Sequence, residues 1–505
     1  MKLSFREKFG YGLGDTGSNF VWALMINFIM FYYTDIFGIG AAAAGTMLLF
    51  ARSTDGVVDF FIGAGADRTR SKHGRFRPYL IWLCGPLAIV FVLAFTTPNL
   101  SPGGKVVWAW VTYNLMMLLY SWINIPYGAL SGVMTDDPLE RTSLNSYRMS
   151  LAQIGGIIAN STFIVLILKF GGGVLTFVGS SADTATNQHL LQVGAQRTVL
   201  LFSAMAIALF LASFLTTRER IHPPADQRTN LLQDLKNLFR NPHWILMFAV
   251  GIINITFAVV RGSAGMYYLQ RYLKLDGGDA TKYFYRWDSG HPIELFFLGQ
   301  IGTYFLIGGL AMIFGAMLTR FAVKAVGKKR AFITSMALVG LTAVPFYWIQ
   351  PDQFSLVYAF QALGMIFSGI NATLFWAMVA DTADFQEWKF NVRTTGVAFS
   401  ATTCAQKAGM GIGAAIAGFL IQYVGYEPKA AVQTPDAIRG ILLLNSLIPA
   451  VGMVLLAAAF TTYGLNEHLC RTMREELARR RERQSSATSR QAPTAALADG
   501  SFVNR

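Results

Sequence analysis

Asp55 and Asp59 stand four residues apart inside the apolar run 41-AAAAGTMLLFARSTDGVVDFFIGAGA-66. In a helix that spacing stacks both carboxylates on one face, and an acid inside a bilayer costs about 2.5–3.5 kcal/mol on insertion scales. Two unneutralised acids that close repel, and a shared proton or metal cation relieves the conflict. The chemistry on offer is binding of a coupling cation. Arg52, three residues before Asp55, offers a competing account of that acid as half of a structural ion pair. Asp59 has no such local partner, so the cation site rests on the pair and more heavily on Asp59.

Other polar groups interrupt the apolar runs. In 120-YSWINIPYGAL-130, Tyr120 and Asn124 share a face, Ser121 lies beside them, and Pro126 frees a carbonyl one turn back. A hydroxyl, an amide and a ring suit a sugar, whose hydroxyls need donors and acceptors and whose C–H face packs on aromatics. Hydrogen bonding between helices would use the same groups and stays open. Asp15 and Asn19 are again four apart, with Asp15 near the start of its run and expected at the interface. Arg148 opens the fifth run, and Lys407 falls near the middle of the eleventh. A mid-span lysine must face an aqueous cavity or pair with an acid, such as those of the second run. Trp376 either stacks on a sugar or fills the core. Arg52, Asp67, Arg68, Asp381 and Asp384 read as a gate or structural network.

These groups need a scaffold that spans a bilayer. The chain has 505 residues, 53% of them hydrophobic, and a mean hydropathy of +0.41, too apolar for an ordinary soluble protein. Twelve runs are long enough to cross a membrane: near 9–37, 41–66, 77–97, 105–134, 147–170, 194–216, 242–272, 293–319, 329–350, 354–382, 395–425 and 437–465. The expected fold is an all-α polytopic membrane protein, with a six-helix bundle over 1–216, a cytoplasmic loop over 217–241, a second bundle over 242–466 and a tail over 467–505. Basic turns recur after the second and eighth runs, as two parallel repeats would give. Pro223-Pro224 breaks the loop, and 230–239 then suits a short amphipathic helix; 484–505 reads as disordered.

The net charge of +14 would suit nucleic acid, but its placement says otherwise. Lys and Arg crowd alternate loops (Arg75 and Arg77, Arg218 and Arg220, Lys328 to Arg330), while 98–104 and 171–193 contain none. The positive-inside rule then puts those basic loops and both termini in the cytoplasm. The external stretch 273–292 is a solvated loop or a cap over a vestibule. Scattered histidines and short polar loops argue against a membrane enzyme.

Several blocks in order, among them 11-YGLGDTGSNF-20, 45-GTMLLFARSTDGVVD-59, 66-ADRTRSKHGRFRP-78, 124-NIPYGAL-130 and 380-ADTADFQEWK-389, resemble the glycoside–pentoside–hexuronide:cation symporters of the major facilitator superfamily. The resemblance implies alternating access in a bacterial inner membrane by a carrier that works as a monomer without a cofactor. It matches Asp55, Asp59 and Ser121 to cation-site positions, and Asn19, Tyr120, Asn124, Arg148 and Lys407 to sugar-site or coupling positions. Departures matter too. Asn19 and Asn124 stand where melibiose-type members have acids, and Val58 where they have an amide. Losing a hard oxygen disfavours sodium, so proton coupling is favoured over sodium coupling. Losing two acids leaves the sugar cavity more positive, which suits an acidic substrate such as a hexuronide; a neutral glycoside held by the two asparagines is the alternative. A passive facilitator or transporter-like sensor is the competing class.

Overall fold

The computed structural model describes residues 3–69, 71–135, 137–171, 184–220, 236–275, 285–286, 294–295, 299–390, 395–428, 430, 432–465 and most of 467–480. The disordered-tail reading, most of the 230–239 helix and most of the 273–292 loop fall outside them, as do the side chains of Asp67 and Arg68.

The described residues form twelve helical runs in chain order. They are α1 (Phe5–Asn27, continuing through Ile29–Phe31 and Tyr32–Phe37), α2 (Ala41–Arg68), α3 (Pro78–Trp82 and Cys84–Ala94), α4 (Pro102–Met134), α5 (Pro138–Gly171) and α6 (Thr184–Thr216). The second six are α7 (Pro242–Tyr267 with Tyr268–Tyr272), α8 (Gly299–Val326), α9 (Lys328–Ala343 with Val344–Tyr347), α10 (Phe354–Phe390), α11 (Thr395–Tyr423) and α12 (Pro435–Asn445, Leu447–Ala459 and Phe460–Thr462). Nine of these are long and apolar enough to cross a membrane, and α1 makes a tenth despite a 59° bend. The other two are α2, which carries the buried charges, and α3, which is broken near Leu83. The only strands described are the two-residue pair Tyr285–Arg286 and Glu294–Leu295.

Local sequence sets where the helices start. Ser4 accepts from the Glu7 backbone while Glu7 reaches back, a reciprocal cap on α1. Ser101 caps α4 and Thr434 caps α12, each with proline in the first turn, and the Asn241 side chain takes the backbone N–H groups of His243 and Trp244 to open α7. The tenth run is longer than its apolar stretch suggested. Helix α10 continues to Phe390, so Asp381 and Asp384 lie within its last turns.

Packing falls into two groups tied by three seams. Within the first six helices, α1 lies along α5 and α6; within the last six, α8 and α9 lie along α10. Between the groups α2 packs on α11, α5 on α8, and α1 on α7. Small residues permit the tightest approaches. A Cβ on Gly315 would overlap the Ile366 carbonyl, and one on Gly369 would overlap that of Met312, so α8 and α10 touch backbone to backbone.

Candidate functional site

The α2–α11 seam holds Asp55 and Asp59. Lys407 of α11 extends across it, its Nζ 2.9 Å from Asp55 Oδ2 and also bonded to Asp59 Oδ2. Ser121 of α4 donates to Asp55 Oδ1 at 3.0 Å and lies 3.4 Å from the ammonium. One tethered cation thus faces two carboxylates and one hydroxyl, taken from three helices. Asp55 is 2% exposed, while Asp59 keeps 21%. Asp59 Oδ1 is buried and takes no hydrogen bond. Val58 lies between the acids, half-buried.

Arg52 does not make the ion pair with Asp55 that its spacing allowed. Its guanidinium lies 4.9 Å from the centroid of the Trp22 ring and 5.8 Å from that of Tyr113, and it makes no ion pair among the described residues. Trp22 in turn stacks on Tyr120 at 5.4 Å, so Tyr120 sits in a ladder of ring, ring and guanidinium.

A second buried pair lies between α1 and α5. Arg148 Nε is 2.8 Å from Asp15 Oδ2, and its guanidinium covers the Tyr127 ring at 5.2 Å. Asp15 is therefore buried within the helices, where its place in the run had suggested the interface; the arginine one helix away compensates its charge. Asn19 donates to the Asp15 carbonyl at 2.9 Å and Asn124 to the Tyr120 carbonyl at 3.1 Å. Each amide thus commits a donor to its own helix. Trp376 stacks in parallel on Phe399, ring centroids 5.7 Å apart, among the apolar residues of the last six helices. Asp381 pairs with Lys328, and Asp384 is half-buried one turn further along α10.

Sequence reading missed a third charged cluster. At the far end of α1, Asp35 Oδ1 takes Arg271 at 2.8 Å and the Tyr426 hydroxyl at 2.6 Å, while Thr34 bonds Asp35 Oδ2 and meets the Tyr267 hydroxyl. Arg271 also donates to the Pro428 carbonyl at 2.7 Å. Asp35 and Thr34 belong to the first group of helices, and Arg271, Tyr267 and Tyr426 to the second. Beside them the Ala42 amide donates to Gln422 at 2.9 Å. The signal was an acid and an arginine, each at an aromatic-rich helix end, but no spacing rule links positions 236 residues apart. At the opposite end, where the chain begins, the bonds named here stay within a group. Glu219 accepts from the backbone of Arg75, Phe76 and Arg77, and Glu467 from Lys328.

Membrane-length helices in two groups, with buried charge shared across the seam between them, define a transporter rather than an enzyme. The chain belongs to the family described as MFS/sugar transport protein, which it matches over residues 10–287 and 296–467. It is 34% identical over 491 residues to the inner membrane symporter YicJ of Escherichia coli, covering 97% of this chain and 98% of that one. The glucuronide carrier protein homolog of E. coli is 31% identical, with 97% and 98% covered. The isoprimeverose transporter of Lactiplantibacillus pentosus is 30% identical, with 92% and 90% covered. The chain is thus a multi-pass membrane transporter of the major facilitator superfamily.

Proposed function

We propose that this protein takes up a sugar together with a proton by alternating access, with both termini in the cytoplasm and one chain as the working unit. The observation that carries the reading is the Lys407 ammonium held between Asp55 and Asp59. A tethered cation fills the place of a coupling cation and ties α11 to α2. A proton arriving at the free Asp59 Oδ1 neutralises that acid, leaves Lys407 with Asp55 alone and weakens the tie. Sodium fits less well. It wants several hard oxygens, and here two carboxylates and a hydroxyl already serve an ammonium, with Val58 adding none.

The Asp35–Arg271 cluster closes the end of the molecule away from the basic loops, so this structure corresponds to the state shut toward the outside. The sugar then binds among Asn19, Tyr120, Asn124 and Arg148 of the first group and reaches Lys407 of the second. Names of relatives support a sugar of the glycoside or uronide kind, since one is called an isoprimeverose transporter and another a glucuronide carrier homolog. Liposomes holding the purified protein should accumulate labelled sugar under an imposed proton gradient without sodium, and an uncoupler should abolish it. Asp59→Asn should lose accumulation while keeping sugar exchange. Strict sodium dependence, or normal accumulation by Asp59→Asn, would overturn the reading.

A further inference from the structure

Of the three cations Arg52, Arg148 and Lys407, two are already committed. Arg148 is held by Asp15, and Lys407 by Asp55 and Asp59. Arg52 is different. It is 3% exposed, and its Nη1 is buried without a hydrogen-bond partner. A guanidinium has five donors, and burying a charge without partners is among the costliest arrangements a protein holds. Of its aromatic neighbours, Trp22 offers no acceptor and Tyr113 only a neutral hydroxyl, so cation–π attraction leaves the guanidinium without an anion.

Arg52 also lines a small cavity between the two groups of helices. Met25, Ile29 and Leu48 come from the first group, and Val259, Ser263 and Met410 from the second. Three residues of α2, about 4.5 Å of rise, put Arg52 on the Asp35 side of Asp55. It therefore stands where a solute coming from the latched end would meet the site.

Charge balance points the same way. Asp15, Asp55 and Asp59 oppose Arg52, Arg148 and Lys407, so these six groups together carry no net charge when all are ionised. One proton on an acid leaves one positive charge uncompensated, and an anion arriving at Arg52 restores the balance. We propose that Arg52 reads a carboxylate on the transported sugar, so that a monoanionic sugar acid and a proton cross as a neutral pair. This rests on the proton-coupled sugar uptake proposed above.

Matched probes test it: methyl β-D-glucuronide with methyl β-D-glucoside, and methyl β-D-galacturonide with methyl β-D-galactoside, titrated against the purified full-length protein. At least one uronide should bind about tenfold or more tighter than its neutral twin, the scale of a hydrogen bond to a charged group. That ratio should collapse toward one in Arg52→Gln and persist in Arg52→Lys. Equal affinity within both pairs, no binding by any of the four, or a preference that survives Arg52→Gln would each overturn the proposal. A chloride requirement for binding a neutral twin would assign Arg52 to an inorganic anion and overturn it as well. Wild-type proteoliposomes give a readout that needs no variant: uronide uptake should carry no net current on a supported membrane, and a positive inward current refutes the neutral pair. Proton-driven accumulation of a neutral twin without uronide preference sinks this inference alone. Uronide accumulation that ignores the proton gradient sinks the coupling reading instead.

Discussion

Replacing Arg271 by glutamine removes the centre of the far-end latch. The guanidinium makes charge-assisted bonds to Asp35 at 2.8 Å and to the Pro428 carbonyl at 2.7 Å, with a third to the Tyr426 hydroxyl at 3.0 Å. Its side chain is 9% exposed and that of Asp35 6%, so solvent screens the pair little. Removing one partner of a buried pair costs about 3–5 kcal/mol. Asp35 keeps Tyr426 and Thr34, which lowers the expected loss to about 2–4 kcal/mol. If the latch exists in only one of two conformations, their ratio shifts by that free energy, roughly 30- to 1,000-fold toward the conformation open at the latch end. Ser263, buried on the cavity between the groups, supplies the reporter. With Cys84, Cys404 and Cys470 replaced by serine, Ser263→Cys should react with an external membrane-impermeant maleimide at least tenfold faster when Arg271→Gln is added. Asp35→Asn should raise the rate similarly, and the double variant should add little beyond either. An unchanged labelling rate in a folded Arg271→Gln protein would refute the latch, and fully additive effects would refute the pairing.

Three further outcomes follow from the geometry. Lys407→Gln leaves Asp55 and Asp59 facing each other in a buried site, so it should lower thermal stability in detergent by the equivalent of about 3–5 kcal/mol; adding Asp59→Asn should recover much of that, and an unchanged melting temperature would count against the ion triad. Asp15→Asn and Arg148→Gln should be coupled by about 1–3 kcal/mol in a double-mutant cycle read by chemical unfolding, whereas additivity would mean the 2.8 Å contact contributes nothing. Gly315→Ala should destabilise the α8–α10 contact by about 1–3 kcal/mol, the scale of overpacking, seen as a lower melting temperature; Gly65→Ala, whose added methyl meets open space, is the control.

What could be read in the sequence was whatever a single helix encodes. Apolar length gave the twelve runs, and the four-residue step put Asp55 and Asp59 on one face, where the structure has them. A mid-span lysine had to find an acid, and the cost of burying it made the second run the natural place to look. Contacts between distant helices were not legible in the same way. Arg52 has the right spacing to pair with Asp55, but the Trp22 ring of α1 claims it instead. Asp15 looked interfacial from its place in the run until Arg148, on another helix, accounted for its burial. The latch was invisible because its two ends are individually unremarkable residues at helix termini.

The two ties between the groups act at different depths, and that constrains what the sugar must do. Ala41 begins α2 beside the latch, and the fourteen residues from there to Asp55 correspond to about 21 Å of helix. In the proposed mechanism, protonating Asp59 would loosen the central tie and leave the latch untouched. A ligand moves such an equilibrium only by binding one conformation better than the other, so the sugar cannot do so through contacts that are the same in both. A sugar touching only the Asn19, Asn124 and Arg148 side would move rigidly with the first group and gain nothing from closure. In the proposed mechanism its binding would therefore span the seam, with Lys407 released from Asp59 and turned toward it. Under the proposed mechanism Lys407 would link the two events: a proton would free it, and the sugar would hold it in its new place while the latch re-forms.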